Sequence, residues 1–141
     1  MRDPAPYAAA LWALTALFLA RVIGQLVVVR WRPRWLPPME QWYSGLLAYR
    51  YLLPVQLVML AIMLAIAWDF TRGAGFFVLR RPAAGQWLVW YSYLYFSAML
   101  VRYVVWMKRR PDQRWLGGTI PIAFHCLLAI FLFVLGRYHA P

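Results

Sequence analysis

Apolar residues run along this chain in four long blocks, and polar residues gather in the short gaps between them. Each block approaches ~20 residues, the length a helix rising 1.5 Å per residue needs to cross a ~30 Å hydrocarbon core. The pattern predicts membrane spans over about 7–29, 51–69, 87–107 and 119–138. Span one closes in RWRPRWLPP, whose prolines forbid helical continuation. Span two carries Pro54 in its expected first turn, where a missing N–H costs least. The second gap, FTRGAGFFVLRRPAAGQ, holds Gly73 and Gly75 for turning and Arg80, Arg81 and Pro82 for stopping. Its GFFVL core is expected to dip into the membrane interface. KRRPDQRWLGG forms a polar turn before span four.

Between spans one and two lies MEQWYSGLLAYR, in which Met39, Trp42, Tyr43, Leu46 and Leu47 repeat as one apolar helical face. This predicts a short helix lying in the interface before the chain dives, with an N-terminal extension of span two as the alternative. The first block is longer than the ~7–15-residue apolar core of a cleaved signal peptide, so it is expected to stay as a span. There is no internal repeat and no linker long enough to separate domains. The expected fold is an all-α integral membrane protein. Residues 1–141 form one four-helix transmembrane domain, with the short interfacial helix before its second span.

Composition agrees. The chain is 65% hydrophobic and 13% charged, with a mean hydropathy of +0.58. A soluble domain carries roughly a quarter charged residues, and a disordered chain is poor in apolar ones, so both classes are excluded.

Fifteen Lys and Arg against four Asp and Glu give a net charge of +11. Most of these cations flank apolar blocks, where they meet anionic lipid headgroups and set orientation, so no nucleic-acid partner is expected. All but Lys108 are arginine. The side holding the first and third gaps carries Arg30, Arg32, Arg34, Arg50, Lys108, Arg109, Arg110 and Arg114; the opposite side carries Arg2, Arg72, Arg80, Arg81 and Arg137. The positive-inside rule then places both termini on the non-cytoplasmic side. Compactness and the arginine bias point to a bacterial inner membrane. Trp31, Trp35, Trp42, Trp68, Trp87, Trp106 and Trp115 fall near span ends, as an interfacial aromatic belt requires.

Polar residues within the blocks change the picture most. Arg21 and Gln25 sit one helical turn apart on one face of span one. Gln56 lies in span two, Arg102 in span three, and His125 in span four. Counted from the span centres, all five fall in one slab roughly 4–10 Å from the midplane, in the same leaflet. Tyr91, Tyr95, Ala98 and Arg102 make a stripe along span three. An intramembrane charge is costly and calls for a function or a partner. No carboxylate lies within the spans near the two arginines. They either snorkel to headgroups, face an acidic group of another subunit, or bind an anionic or carbonyl-bearing ligand such as a lipid phosphate or a quinone.

His125 invites comparison with axial ligands of haem or chlorophyll-type pigments. The other histidine, His139, is fourteen residues further along the same helix, about 21 Å away, so one chain cannot supply a bis-histidine site. A helix–helix hydrogen bond is the commoner use of such a residue. The lone Cys126 excludes an internal disulfide and a four-cysteine metal site; its side chain diverges from that of neighbouring His125 by ~100°, so the two are no nucleophile–base pair. No hydrolase, metalloprotease or nucleotide-binding motif is present. No enzyme activity and no obligatory cofactor or metal are expected.

The sequence therefore points to a non-catalytic accessory subunit that packs against and stabilises a larger, energy-transducing membrane complex. A second reading is a redox or light-harvesting anchor in which His125 holds haem, a quinone or a pigment. A third is a small oligomeric anion channel or lipid-handling protein. Candidate ligand- or partner-binding residues are Arg21, Gln25, Gln56, Arg102, Tyr91 and Tyr95.

Overall fold

A computed structural model describes residues 3–42, 48–111 and 118–141. Four helices account for most of these: α1 Ala5–Trp31, α2 Tyr49–Arg72, α3 Pro82–Arg109 and α4 Thr119–His139. All four are long and apolar enough to cross a membrane. They overrun the expected spans because polar end residues continue the helical hydrogen bonding into the headgroup region. α2 begins two residues early, so Pro54 lies in its second turn, exposed, and has no N–H to give the Arg50 carbonyl.

The expected interfacial helix falls in part on residues 43–47, outside the described residues. Of its remaining length, Met39–Gln41 forms a single 3-10 turn and Tyr49 and Arg50 already belong to α2.

Helix ends follow local chemistry. Arg32 adopts a left-handed conformation (φ 45°) after α1 and donates its N–H to the Val28 carbonyl. Gly73 does the same after α2 (φ 61°). Gly75, at φ 124°, allows the Asp69 carboxylate to approach closely and accept the Phe77 N–H at 3.2 Å. That bond folds the 76–79 segment into turns, with Phe77 and Val78 packed on the core.

The helices are not packed symmetrically. α1 and α4 lie antiparallel at the centre, α2 packs on α1, and α3 packs on α4 alone. The Trp12–Thr71 hydrogen bond (2.8 Å) and the Tyr7–Tyr138 ring contact (5.3 Å) fix the registers of α1 against α2 and α4. The core runs through the three inner helices, with Leu11, Phe18, Ala67, Phe70, Phe131 and Tyr138 among its buried members. α3 buries only Gly85 and Ser92. At Gly85 a side chain would strike the His139–Ala140 backbone, and at Gly136 it would strike the backbone of Val89. Each glycine thus lets α3 and α4 approach more closely than any Cβ would permit.

α2 and α3 do not touch through their backbones, yet they face one another. Met59, Met63 and Ile66 of α2 and Tyr91 and Tyr95 of α3 form the walls of a cleft of about 400 Å³ whose floor is the Leu128–Leu135 stretch of α4.

Candidate functional site

The polar layer expected from the sequence is assembled at the end of the bundle facing the first gap. From the observed helix midpoints, Arg21, Gln25, Gln56, Arg102 and His125 still lie roughly 4–10 Å off the centre, at one depth. Gln25 (0% exposed), Gln56 (2%) and Arg21 (8%) are buried. The antiparallel register set by Trp12 and Thr71 brings Gln56 level with the α1 turn between Gln25 and Val28.

Trp42 organises the α1 side. It belongs to the segment after α1 that folds back about two turns along the helix. Its carbonyl accepts hydrogen bonds from Arg21 Nη2 (3.3 Å) and Gln25 Nε2 (3.0 Å), and its indole Nε1 donates to the Pro37 carbonyl (2.9 Å). The ring covers Gly24, where any side chain would collide with it. Trp42 is therefore a buried plug rather than a member of the interfacial belt. Gly24 between Arg21 and Gln25 is the one sequence feature that could have announced this: a bare helix surface beside two polar groups.

Arg21 does not extend to the headgroups. Its guanidinium turns inward to the Trp42 carbonyl and stands 5.0 Å from the centre of the Phe124 ring on α4, an arrangement that favours a cation over an aromatic face. On the other flank, the Tyr95 hydroxyl and His125 Nδ1 share a hydrogen bond of 2.5 Å that ties α3 to α4. Both arginines lie within electrostatic reach of this pair. The structure thus joins Arg21, Tyr95, Arg102 and His125, from three helices, into one positively charged neighbourhood. Tyr91 lies one turn earlier on α3, its ring 5.9 Å from that of Tyr95, on the wall of the apolar cleft.

No carboxylate balances this charge among the described residues. Asp3 accepts the Ala5 N–H at the start of α1 and Asp69 is bound to Phe77, both at the opposite end, while Glu40 is exposed on the first gap. Asp112 and Arg114 lie outside the described residues. The layer also carries unused hydrogen-bonding capacity. Arg21 Nε, Gln25 Oε1, Tyr49 Oη and both amide atoms of Gln56 are buried without a hydrogen-bond partner among the described residues. In a bilayer each such atom costs several kcal/mol unless something polar reaches it.

The Tyr95–His125 bond occupies one imidazole nitrogen and leaves Nε2 as the remaining ligand atom. Among the described residues, no three His, Cys, Asp or Glu side chains converge as a metal site would require. Sequence reasoning missed Trp42, Phe124 and Tyr49. Only the loop fold-back and the α1–α4 packing bring the first two to Arg21.

No family model, curated protein or solved structure matches the chain.

Proposed function

We propose that this protein is a non-catalytic membrane subunit that docks, through the outer face of α3, onto a larger integral membrane complex of a bacterial inner membrane, with both termini on the non-cytoplasmic side. One observation carries the reading. α3 is the least apolar of the four helices, yet it is the least buried. A helix facing lipid on most sides should be the most apolar, because polar residues in a bilayer gather at protein–protein contacts. Trp87, Trp90, Leu94 and Val101 all project outward, and Trp90, at 65% exposed, lies well inside the span rather than at the headgroup level. Large rigid aromatics of this kind make good anchors in a partner's pocket.

The residues support a binding role rather than a catalytic one. His125 is held by Tyr95, and Cys126 adjoins it on a diverging face. That engagement favours a helix–helix contact for His125 over an axial ligand.

Native affinity purification in mild detergent tests the reading. We expect a stoichiometric set of larger membrane subunits, and expect Leu94→Arg to release them while the chain itself still inserts. Recovery of the chain alone, or only with copies of itself, would overturn it.

A further inference from the structure

We propose that the cleft between α2 and α3 is a binding site for one anionic phospholipid, its acyl chain lying in the cleft and its phosphate drawn to Arg102 and Arg21. The proposal goes beyond subunit docking and concerns the adjoining, cleft-facing side of α3.

The cleft has the volume of a small-ligand site: about 400 Å³, within the ~300–1,000 Å³ usual for such sites. Its walls are Met59, Met63 and Ile66 on one side and Tyr91 on the other, with Leu132 and Leu135 beneath. Unbranched Met side chains fit a flexible chain well because they repack around irregular shapes. An entirely apolar cleft would merely hold any lipid tail, so the polar end decides the occupant.

That end is built by the same helix faces. On α3, Tyr91, Tyr95 and Arg102 follow one another at spacings of four and seven residues, a single stripe, with Arg102 about 10 Å beyond Tyr95. On α2, Gln56 precedes the cleft residues Met59 and Met63 by three and seven residues, buried just beyond the end of the cleft. Its amide is 2% exposed and bonded to nothing among the described residues. On α4, His125 lies one turn before the cleft floor. The Tyr95 end of the apolar cavity therefore lies within electrostatic reach of two arginines that no described carboxylate neutralises, at the depth of a buried amide with spare donors.

Charge complementarity calls for an oxyanion, which the arginine fork matches in geometry. The continuous apolar cavity calls for a chain attached to it. A zwitterionic lipid has the chain but cancels its own phosphate charge, and free phosphate has the charge but leaves the cleft unused.

The test uses the purified full-length chain, with native mass spectrometry and thermal unfolding in neutral detergent. The probes are phosphatidylglycerol, phosphatidylcholine of the same chain length, and inorganic phosphate. One phosphatidylglycerol should be retained per chain, about tenfold more tightly than phosphatidylcholine, the ratio expected if one additional charge-assisted contact of about 1.4 kcal/mol is made. Millimolar inorganic phosphate should not displace it. Arg102→Gln should abolish the preference between the two lipids. Ile62→Trp, at an exposed position on the cleft wall, should weaken both lipids alike. Arg72→Gln, exposed at the far end of α2, should change neither. Unchanged helical circular dichroism and elution volume keep misfolding apart from loss of binding. Equal retention of the two lipids by the parent chain, or an undiminished preference in the Arg102 variant, would overturn the proposal. Displacement by phosphate alone would also overturn it, since it would describe an anion site that makes no use of the cleft. Because no other subunit is present, the outcome is independent of whether the chain docks onto a larger complex.

Discussion

The two ends of this bundle treat their polar groups in opposite ways. At the end formed by the second gap and the α4 C-terminus, hydrogen bonds close on one another. Arg80 donates to the Ala140 carbonyl (2.8 Å), the Arg81 N–H reaches His139 Nδ1 (3.4 Å), and the Tyr138 hydroxyl donates to the Val78 carbonyl (3.1 Å). Gly85 lets α3 lie against the same segment. At the end formed by the first gap, a more deeply buried set of polar atoms stays partly unpaired, on Arg21, Gln25, Tyr49 and Gln56. Of these, Arg21, Gln25 and Gln56 lie nearer the bundle centre, where unmade hydrogen bonds are penalised most. One end uses its polar groups to bind helix to helix, while the other keeps polar groups whose capacity the described fold does not consume. The first arrangement serves stability, and the second is what a binding region for something polar requires.

The plug is the sharpest place to break this contrast. Trp42→Ala removes a buried indole from Gly24 while leaving the backbone carbonyl that Arg21 and Gln25 use. Truncating a buried aromatic costs about 3 kcal/mol or more, counting the cavity left behind. We expect a loss of this size in reversible denaturation from mixed micelles. A loss below about 1 kcal/mol would mean that the fold-back segment rests on the bundle without supporting it.

At the closed end the comparable test is overpacking. In Gly85→Val the new side chain meets backbone atoms of His139 and Ala140, which cannot swing aside as a side-chain tip can. Forcing such contacts costs roughly 1–3 kcal/mol, and the upper part of that range is expected here. Disulfide cross-linking between cysteines placed on α3 and α4 should slow in parallel. An unperturbed variant would show that the Gly85 crossing is looser than the structure describes.

How much of this was legible in the sequence follows from which interactions are local. The four helices were legible because span length and hydropathy are local properties, and a bilayer forces the backbone of each span to satisfy itself. The common depth of Arg21, Gln25, Gln56, Arg102 and His125 was legible for the same reason: position along a spanning helix is position across the membrane. Azimuth was not. Whether Arg21 points outward or inward depends on α4 supplying Phe124 and on the first gap supplying the Trp42 carbonyl, contacts remote in sequence. The Trp42 error has the same origin. An interfacial belt is the default position for a tryptophan at a span end, and only the fold-back of a Pro-rich segment onto a helix glycine removes it. The cleft lay beyond sequence reasoning as well, because it exists only where α2 and α3 fail to meet.

The smallest expected effect is also the most discriminating, because its sign differs between the two ends. Tyr138→Phe deletes one hydroxyl from a satisfied bond to the Val78 carbonyl and leaves that carbonyl without its donor. The expected cost is about 1 kcal/mol, the net worth of an ordinary hydrogen bond. Gln56→Leu deletes an amide of similar burial whose two polar atoms make no bond among the described residues. Replacing an unsatisfied buried group with an apolar one of similar volume relieves its desolvation penalty, so the purified chain should be stabilised by about 1 kcal/mol. Denaturation of the two variants in one detergent, stripped of lipid, checks both signs together. If Gln56→Leu destabilises the stripped chain as Tyr138→Phe does, the glutamine is serving the fold, and the two ends are built alike after all. If the signs oppose, adding phosphatidylglycerol sharpens the result. The parent should then recover more stability than the Gln56 variant if the lipid headgroup region engages the amide, and equal recovery would show that it does not.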